Sequence, residues 1–330
     1  NDSAFVVEPE NVPGPLLGQG AAMNEVFKAI GRASQGRVPV LIEGEPGTGR
    51  EAVARAIHQA SGDGEELFAA VSCNTALDVL LESELFGHIA GAFSGADTLR
   101  DGKVKLVEGG TMFLDEIDQL SAGLQGKLLR LVRDQEYTPI GSTGAVSSSV
   151  RIICSTAKDL KKEILEKRFR EDLFYALSVA TIEVPPLRRR SEDIALLVEH
   201  LVHKINTELN KNVRQVSREV IDQLTAYSWP GNLRQLENVL MQAAVMVSGD
   251  VLTVGQLPQV VLSDAAGHTN GGHDIILDSR DKTLKDLERE YIFKVLSDTG
   301  WHKGKTCTIL GISRPRLERR IAEFGFTRAL

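Results

Sequence analysis

A glycine-rich run, Gly44-Glu45-Pro46-Gly47-Thr48-Gly49-Arg50-Glu51, follows an apolar stretch and precedes a helical pattern over about 52–60. In that setting glycines turn backbone N–H groups inward onto phosphate oxygens, and the helix N-terminus adds partial positive charge. The G-x4-G spacing fits a phosphate loop, although Arg50 stands for the usual lysine and Glu51 for the usual Ser or Thr. Arginine keeps the charge but is a planar fork rather than a point charge. Taken alone, the run also reads as a ligand-free strand-to-helix turn. About 65 residues later, Gly109-Gly110-Thr111-Met112-Phe113-Leu114-Asp115-Glu116 ends an apolar strand on two adjacent carboxylates. Asp115 suits a hydrated Mg²⁺, and Glu116 suits orienting or deprotonating an attacking water. An Asp-Glu pair is also an ordinary helix start. Loop and acidic strand end together point to nucleotide binding with Mg²⁺.

Such residues need a sheet whose strands end at one edge. Apolar runs at 38–42, 67–71, 111–114, 150–155 and 181–184 alternate with helix-length segments. That alternation predicts an α/β fold with a parallel sheet covered on both faces. After Pro185 and Pro186 the period changes. Ser191 reads as an N-cap, and Ile194, Leu197, Val198, Leu201, Val202 and Ile205 recur at helical spacing; Leu233, Leu236, Val239, Leu240, Ala243 and Ala244 repeat the pattern. The expected division is an irregular edge over 1–13, an α/β subdomain over 14–188 and a helical lid over 189–262. A polar linker over 263–282 and a small all-α unit over 283–330 complete it.

Composition narrows the class. With 330 residues, 42% hydrophobic and 25% charged, the chain is long enough for two or three packed domains and is not disordered. No membrane span or signal peptide is legible, and Cys73, Cys154 and Cys307 lack a paired spacing, so a reducing cytoplasmic location is expected. The net charge of -7 argues against a general nucleic-acid binder, but it is unevenly spread. Residues 301–330 hold seven Lys/Arg against two carboxylates, a local +5 that leaves -12 for the rest. Within that basic end, a short helix over 303–310, a turn with Gly311, and a last helix capped by Ser313 give helix-turn-helix spacing. Leu317 and Ile321 would face the core. Lys303, Lys305, Ser313, Arg314, Arg316, Arg319 and Arg320 are the candidate DNA contacts, with a solvated basic helix as the plain alternative. The helix over 283–298 is expected to dimerise the unit on a palindromic site.

One further run, Gly91-Ala92-Phe93-Ser94-Gly95-Ala96, fits neither a core helix nor a strand. A phenylalanine on a pliant tip anchors a partner surface, or folds back into its own core. Preceded by Glu82-Ser83-Glu84-Leu85-Phe86-Gly87-His88, this run resembles the GAFTGA loop of the AAA+ ATPases that activate sigma-54 RNA polymerase. GEPGTGRE, GGTMFLDEI, RFREDL, VPPLRRRSEDI and WPGNLRQLENV match the same family, and the basic end resembles its Fis-type helix-turn-helix. The resemblance implies an AAA+ P-loop NTPase fold and an ATP-bound homo-hexamer, in a transcription-regulation setting of the two-component kind. Family members often carry an N-terminal receiver or sensory domain, which this chain is expected to lack.

Carried over by position, the loop 91–96 would contact sigma-54, and a second insertion over 135–149 would support it. Gly47, Thr48, Gly49, Asp115 and Glu116 match nucleotide and magnesium positions. Arg234 matches the lid's sensor arginine; Arg168 and Arg170 fall where a neighbouring subunit's arginine finger is expected. Five positions depart from the pattern: Arg50 for lysine, Ser72 for an asparagine paired with Glu116, Ser94 for the loop threonine, Ala157 for the sensor asparagine and Ala176 for a second finger arginine. Groups that position phosphate or water are lost while the backbone cradle is kept. The expected outcome is ATP binding with reduced hydrolysis; the alternative is a nucleotide-sensing DNA-binding regulator that neither turns ATP over nor remodels sigma-54 polymerase.

Overall fold

The computed structural model describes residues 5–6, 16–62, 66–75, 77–247, 249–265, 292, 295–296, 301–310, 314–324 and 326. They fall into two compact units, 1–267 and 268–330. Within the first, five strands form one parallel sheet: β1 (Val40–Glu43), β2 (Phe68–Ser72), β3 (Thr111–Asp115), β4 (Arg151–Thr156) and β5 (Ala180–Glu183), in the spatial order β5-β1-β4-β3-β2. All five predicted strands are present, shifted by at most two residues.

The apolar runs make these strands because the central ones, β1, β3 and β4, are buried on both faces, while the edge strands β2 and β5 are covered only in part. Along β1, Val40 and Ile42 pack with Val53, Ile57, Phe113 and Ile153 beneath the helices Ala21–Ala33 and Arg50–Ala60. Leu41 points the other way, into a second core with Leu114, Ile152 and the helices Asp78–Phe86, Ala122–Asp134 and Glu171–Leu177. Alternate side chains of a strand take opposite faces, so two covering layers require an unbroken apolar run. Each fully buried Leu, Ile or Val contributes about 1.5–3 kcal/mol. Cys73 and Cys154 are free and buried in the second core; burial pushes the Cys73 thiol up to about 12, which suits packing rather than reactivity.

The lid is helical as its period predicts, with Ile194–Leu209, Arg218–Ala226 and Asn232–Met246 packed around the buried Trp229. Ser191 is not a side-chain cap. Ser191–Asp193 forms a short 3₁₀ turn, and its acidic side chains cap a different helix. Asp193 Oδ1 accepts the amides of Gln19 and Gly20 at 2.7 and 2.9 Å, and Glu192 accepts that of Ala21, satisfying the start of Ala21–Ala33. The first residues are not wholly irregular either: Phe5–Val6 pairs antiparallel with Gln215–Val216, which pairs with Val251–Leu252. Gln259–Ala265 is helical, so the first three residues of the expected linker belong to a helix; 266–282 lie outside the described residues.

In the second unit, Lys303–Leu310 and Arg314–Phe324 are helices, and Leu317 and Ile321 face a small core with Ile292, Leu296 and Trp301. Gly311 and Ser313 lie outside the described residues, as does most of the predicted dimerisation helix. No helix among the described residues is long and apolar enough to cross a membrane.

Candidate functional site

The glycine-rich run turns from the end of β1 into the helix Arg50–Ala60, with Gly49 as a left-handed cap. Gly47 has φ +78° and lies so near the lid that a Cβ there would meet the Gly231 carbonyl at 2.5 Å, so this turn admits only glycine. First-turn amides of such a helix have no intrahelical acceptor and face whatever binds. Around them opens a cleft of about 580 Å³. Gly47, Gly49, Arg50, Glu51, Asp115, Glu116 and Arg234 line it, so residues over 180 positions apart meet in one site. Pro46 also lines it, whereas Gly44, Glu45 and Thr48 do not.

Arg50 does not reach outward. It is buried, with Nη1 donating to the Gly44 carbonyl at 2.9 Å and Nη2 lying 3.1 Å from Asp115 Oδ1 and 3.9 Å from Glu116. The planar fork straps the loop to the acidic end of β3, a two-pronged grip that a lysine cannot make. The Ser155 hydroxyl also donates to Asp115. Ser72 pairs with Asp115 along the sheet, and its hydroxyl accepts the Asn74 amide at 3.4 Å. Ala157 is exposed beyond the end of β4. Glu51 points to the surface and pairs with Arg55, while the Thr48 hydroxyl donates to the Glu45 carbonyl at 2.8 Å.

Several ties that carry the site have no local sequence signal. Arg188 donates two bonds to Glu45, at 2.8 and 2.6 Å, and with Asn232 brings its carboxyl down to about 2. Asn232, fully buried, accepts the Leu187 amide at 2.8 Å and donates to Pro46 at 3.1 Å and Glu45 at 3.2 Å. The Leu233 amide donates to Gly47, and buried Arg190 donates to the Thr48 carbonyl. The lid is therefore hydrogen-bonded directly to the phosphate loop. The WPGN and LRRR strings contain these residues, but their partners lie more than 140 positions away.

The finger candidates are exposed and paired within the chain: Arg168 with Glu163 and Glu166, Arg170 with Asp172 at 3.0 and 2.8 Å. The Arg170–Asp172 pair is exposed on both sides and holds weakly, whereas Glu163 is buried and takes two bonds from Arg168. In the loop 91–96, Gly91, Ser94 and Gly95 are exposed, Ala92 is half-buried, and the Ala96 amide closes back on Phe93. Phe93 is half-buried rather than projecting, its ring edge-on to His88 at 5.0 Å. His88 is fixed by Ser83 at 2.7 Å. The second insertion is a hairpin, Glu136–Tyr137 with Val146–Ser147, and it does abut the first. Ile140 exchanges backbone bonds with Gly87 and Ile89, and a Cβ on Gly141 would strike Ala92 at 2.9 Å.

On the second unit Lys303, Lys305, Arg314, Arg316 and Arg319 are exposed. Lys303 and Arg314 converge on Glu318, and the Arg320 guanidinium lies 5.6 Å from the Phe324 ring centroid.

Comparison with known proteins places these features in one lineage. The sigma-54 interaction domain family matches residues 16–183, an AAA+ ATPase lid domain 188–273, and the bacterial regulatory protein, Fis family, 283–324. The regulatory protein AtoC of Escherichia coli is 38% identical over 94% of this chain and 68% of its own length. The DNA-binding transcriptional regulator NtrC of Salmonella typhimurium is 36% identical over 96% and 73%. Among solved structures, NtrX from Brucella abortus in complex with ATP superposes with a TM-score of 0.71 at 31% identity, covering 95% of this chain and 70% of that one.

Proposed function

Because this chain belongs to the family of AAA+ transcriptional activators of sigma-54 RNA polymerase, we propose that its cleft binds ATP with Mg²⁺ and that residues 283–330 bind palindromic upstream DNA. The reading rests on one observation above all: phosphate-loop glycines, two carboxylates and a lid arginine line a single cleft. The residues fit the nucleotide. Gly47 and Gly49 keep the turn tight, and the helix start supplies amides and positive potential for phosphates. Bound Mg²⁺ would neutralise phosphate charge, with Asp115 holding it through water and Glu116 orienting a water. Arg234 would close the lid on the phosphates; Arg170, and less so Arg168, would reach a neighbouring subunit's nucleotide in a hexamer. The loop from Gly91 to Ala96 would contact sigma-54, with Phe93 leaving its seat on His88.

Hydrolysis is expected to be slow. Arg50 is committed to Asp115 and Gly44, and Ala157 and Ala176 offer no polar group to position water or phosphate. The Arg50–Asp115 strap favours a second reading, in which nucleotide occupancy is sensed without turnover. ATP turnover as a function of protein concentration, beside direct nucleotide binding, tests both. A slow, cooperative rise that Arg170→Ala removes is expected for a ring. Saturable binding with no turnover at any concentration selects the sensing regulator, and no nucleotide binding at all overturns both.

A further inference from the structure

The carboxylates at the end of β3 already have a cation. The Arg50 side chain is buried, 6% exposed, and its Nη2 lies 3.1 Å from Asp115 Oδ1 and 3.9 Å from Glu116 Oε1. The same Asp115 oxygen accepts the Ser155 hydroxyl. Nη1 is fixed on the Gly44 carbonyl at 2.9 Å, so the guanidinium is held at both ends. The result is a positive charge built into the fold against the acidic strand end.

Other groups that could ligate a metal nearby are committed too. The Thr48 hydroxyl donates to the Glu45 carbonyl. Glu51, at the position where a phosphate loop usually offers magnesium a hydroxyl, gives its carboxylate to Arg55. Among the described residues, no three His, Cys, Asp or Glu side chains group into a metal site. A divalent ion that takes up Asp115 must therefore displace Arg50, or sit a few ångströms from a like charge that solvent screens poorly. What the ion gains on the carboxylate it loses on the guanidinium. Nucleotide phosphates, by contrast, meet carboxylates whose charge is already offset, and need less of a metal to shield them.

We propose that Arg50 takes the place of magnesium at the Asp115 carboxylate, so that this cleft binds ATP with little dependence on a divalent cation. The assignment rests on the nucleotide reading of the cleft and adds which cation offsets its carboxylates. Coupling between two ligands is reciprocal, so bound ATP in turn does little to draw the metal onto Asp115.

Calorimetric titration of ATP into the full chain, in magnesium and in EDTA, tests this on the unaltered protein and on Arg50→Gln, Arg50→Lys and Asp115→Asn. The unaltered protein should bind ATP with affinities that agree within about threefold in the two buffers. Arg50→Gln removes the built-in cation and should open that ratio to about tenfold or more, with the loss falling on the EDTA titration. Arg50→Lys keeps a charge but cannot span Gly44 and Asp115 together, so its ratio should fall between the two; it carries the comparison if the glutamine variant does not fold. Asp115→Asn frees Arg50 from its partner and should bind ATP in EDTA at least as tightly as the unaltered chain. Weaker binding by Asp115→Asn in magnesium alone is the mark of a metal-holding carboxylate and overturns the assignment. So does magnesium tightening ATP about tenfold on the unaltered protein, or a ratio that neither Arg50 variant moves. If the unaltered protein binds no ATP in either buffer, the nucleotide reading fails with it; binding that needs magnesium defeats the role of Arg50 alone.

Discussion

Replacing Asn232 by alanine is the sharpest probe of how the lid holds the phosphate loop. The side chain is fully buried and makes three bonds, to the Leu187 amide, the Pro46 carbonyl and Glu45. Alanine strands the Leu187 amide in a dry setting, which costs about 1–3 kcal/mol, and leaves the Pro46 carbonyl to whatever water reaches it. Asn232 also has φ +51°, a left-handed conformation that costs an alanine roughly 1–2 kcal/mol and an asparagine less. Together these predict a loss of about 2–5 kcal/mol, or a fall of roughly 1–2 M in the urea midpoint. Asn232→Gly keeps the hydrogen-bond loss but removes the backbone part, so it should be about 1 kcal/mol milder than alanine. Because the Leu233 amide donates to Gly47 from the adjoining residue, nucleotide affinity should fall as well, by about tenfold. Urea unfolding followed by tryptophan fluorescence, with nucleotide titration of the same samples, measures both. A midpoint for Asn232→Ala within about 1 kcal/mol of the unaltered chain would refute this account of the lid contact.

Two further outcomes are expected. The Glu45 carboxyl is held at about 2 against an ordinary 4.5, so its pairing with Arg188 stabilises the fold above pH 4.5 and is lost as pH falls toward 2. Arg188→Gln should therefore lower the urea midpoint at neutral pH, and the gap from the unaltered chain should close across that window; a constant gap would count against the pair. Arg316→Ala should weaken DNA binding on every sequence alike if Arg316 contacts phosphate, reducing the slope of log affinity against log salt by about one. An unchanged slope and affinity would remove Arg316 from the interface.

Much of this chain is legible along the sequence because the physics involved is local. Five apolar runs became five strands, since the central strands are covered on both faces and must be mostly apolar, and the edge strands keep a partly covered apolar face. Gly47 and Gly49 signalled a tight turn before a helix, which the structure shows with positive φ at both, and the 3.6-residue period marked the lid. Where local rules compete, reading failed in small ways. Ser191 looked like a cap, but Asp193 and Glu192 are spent on amides about 170 residues earlier, and a cap depends on which backbone arrives. For Phe93 the residues left two outcomes open, an exposed anchor or a ring folded back, and in this conformation it rests edge-on against His88.

What folding alone decided is who meets whom. Sequence identifies Arg50 as an unusual phosphate-loop residue; only the packing of β1 beside β4, and of β4 beside β3, brings its guanidinium to Asp115. The Glu45–Arg188 pair and the Asn232 ties likewise arise where elements from distant parts of the chain converge on the phosphate loop. Backbone conformation and burial periodicity are set within a few residues, so they can be read in order. Hydrogen bonds and charge pairs fall off within a few ångströms and depend on direction, so their partners are settled only once the chain has folded back on itself.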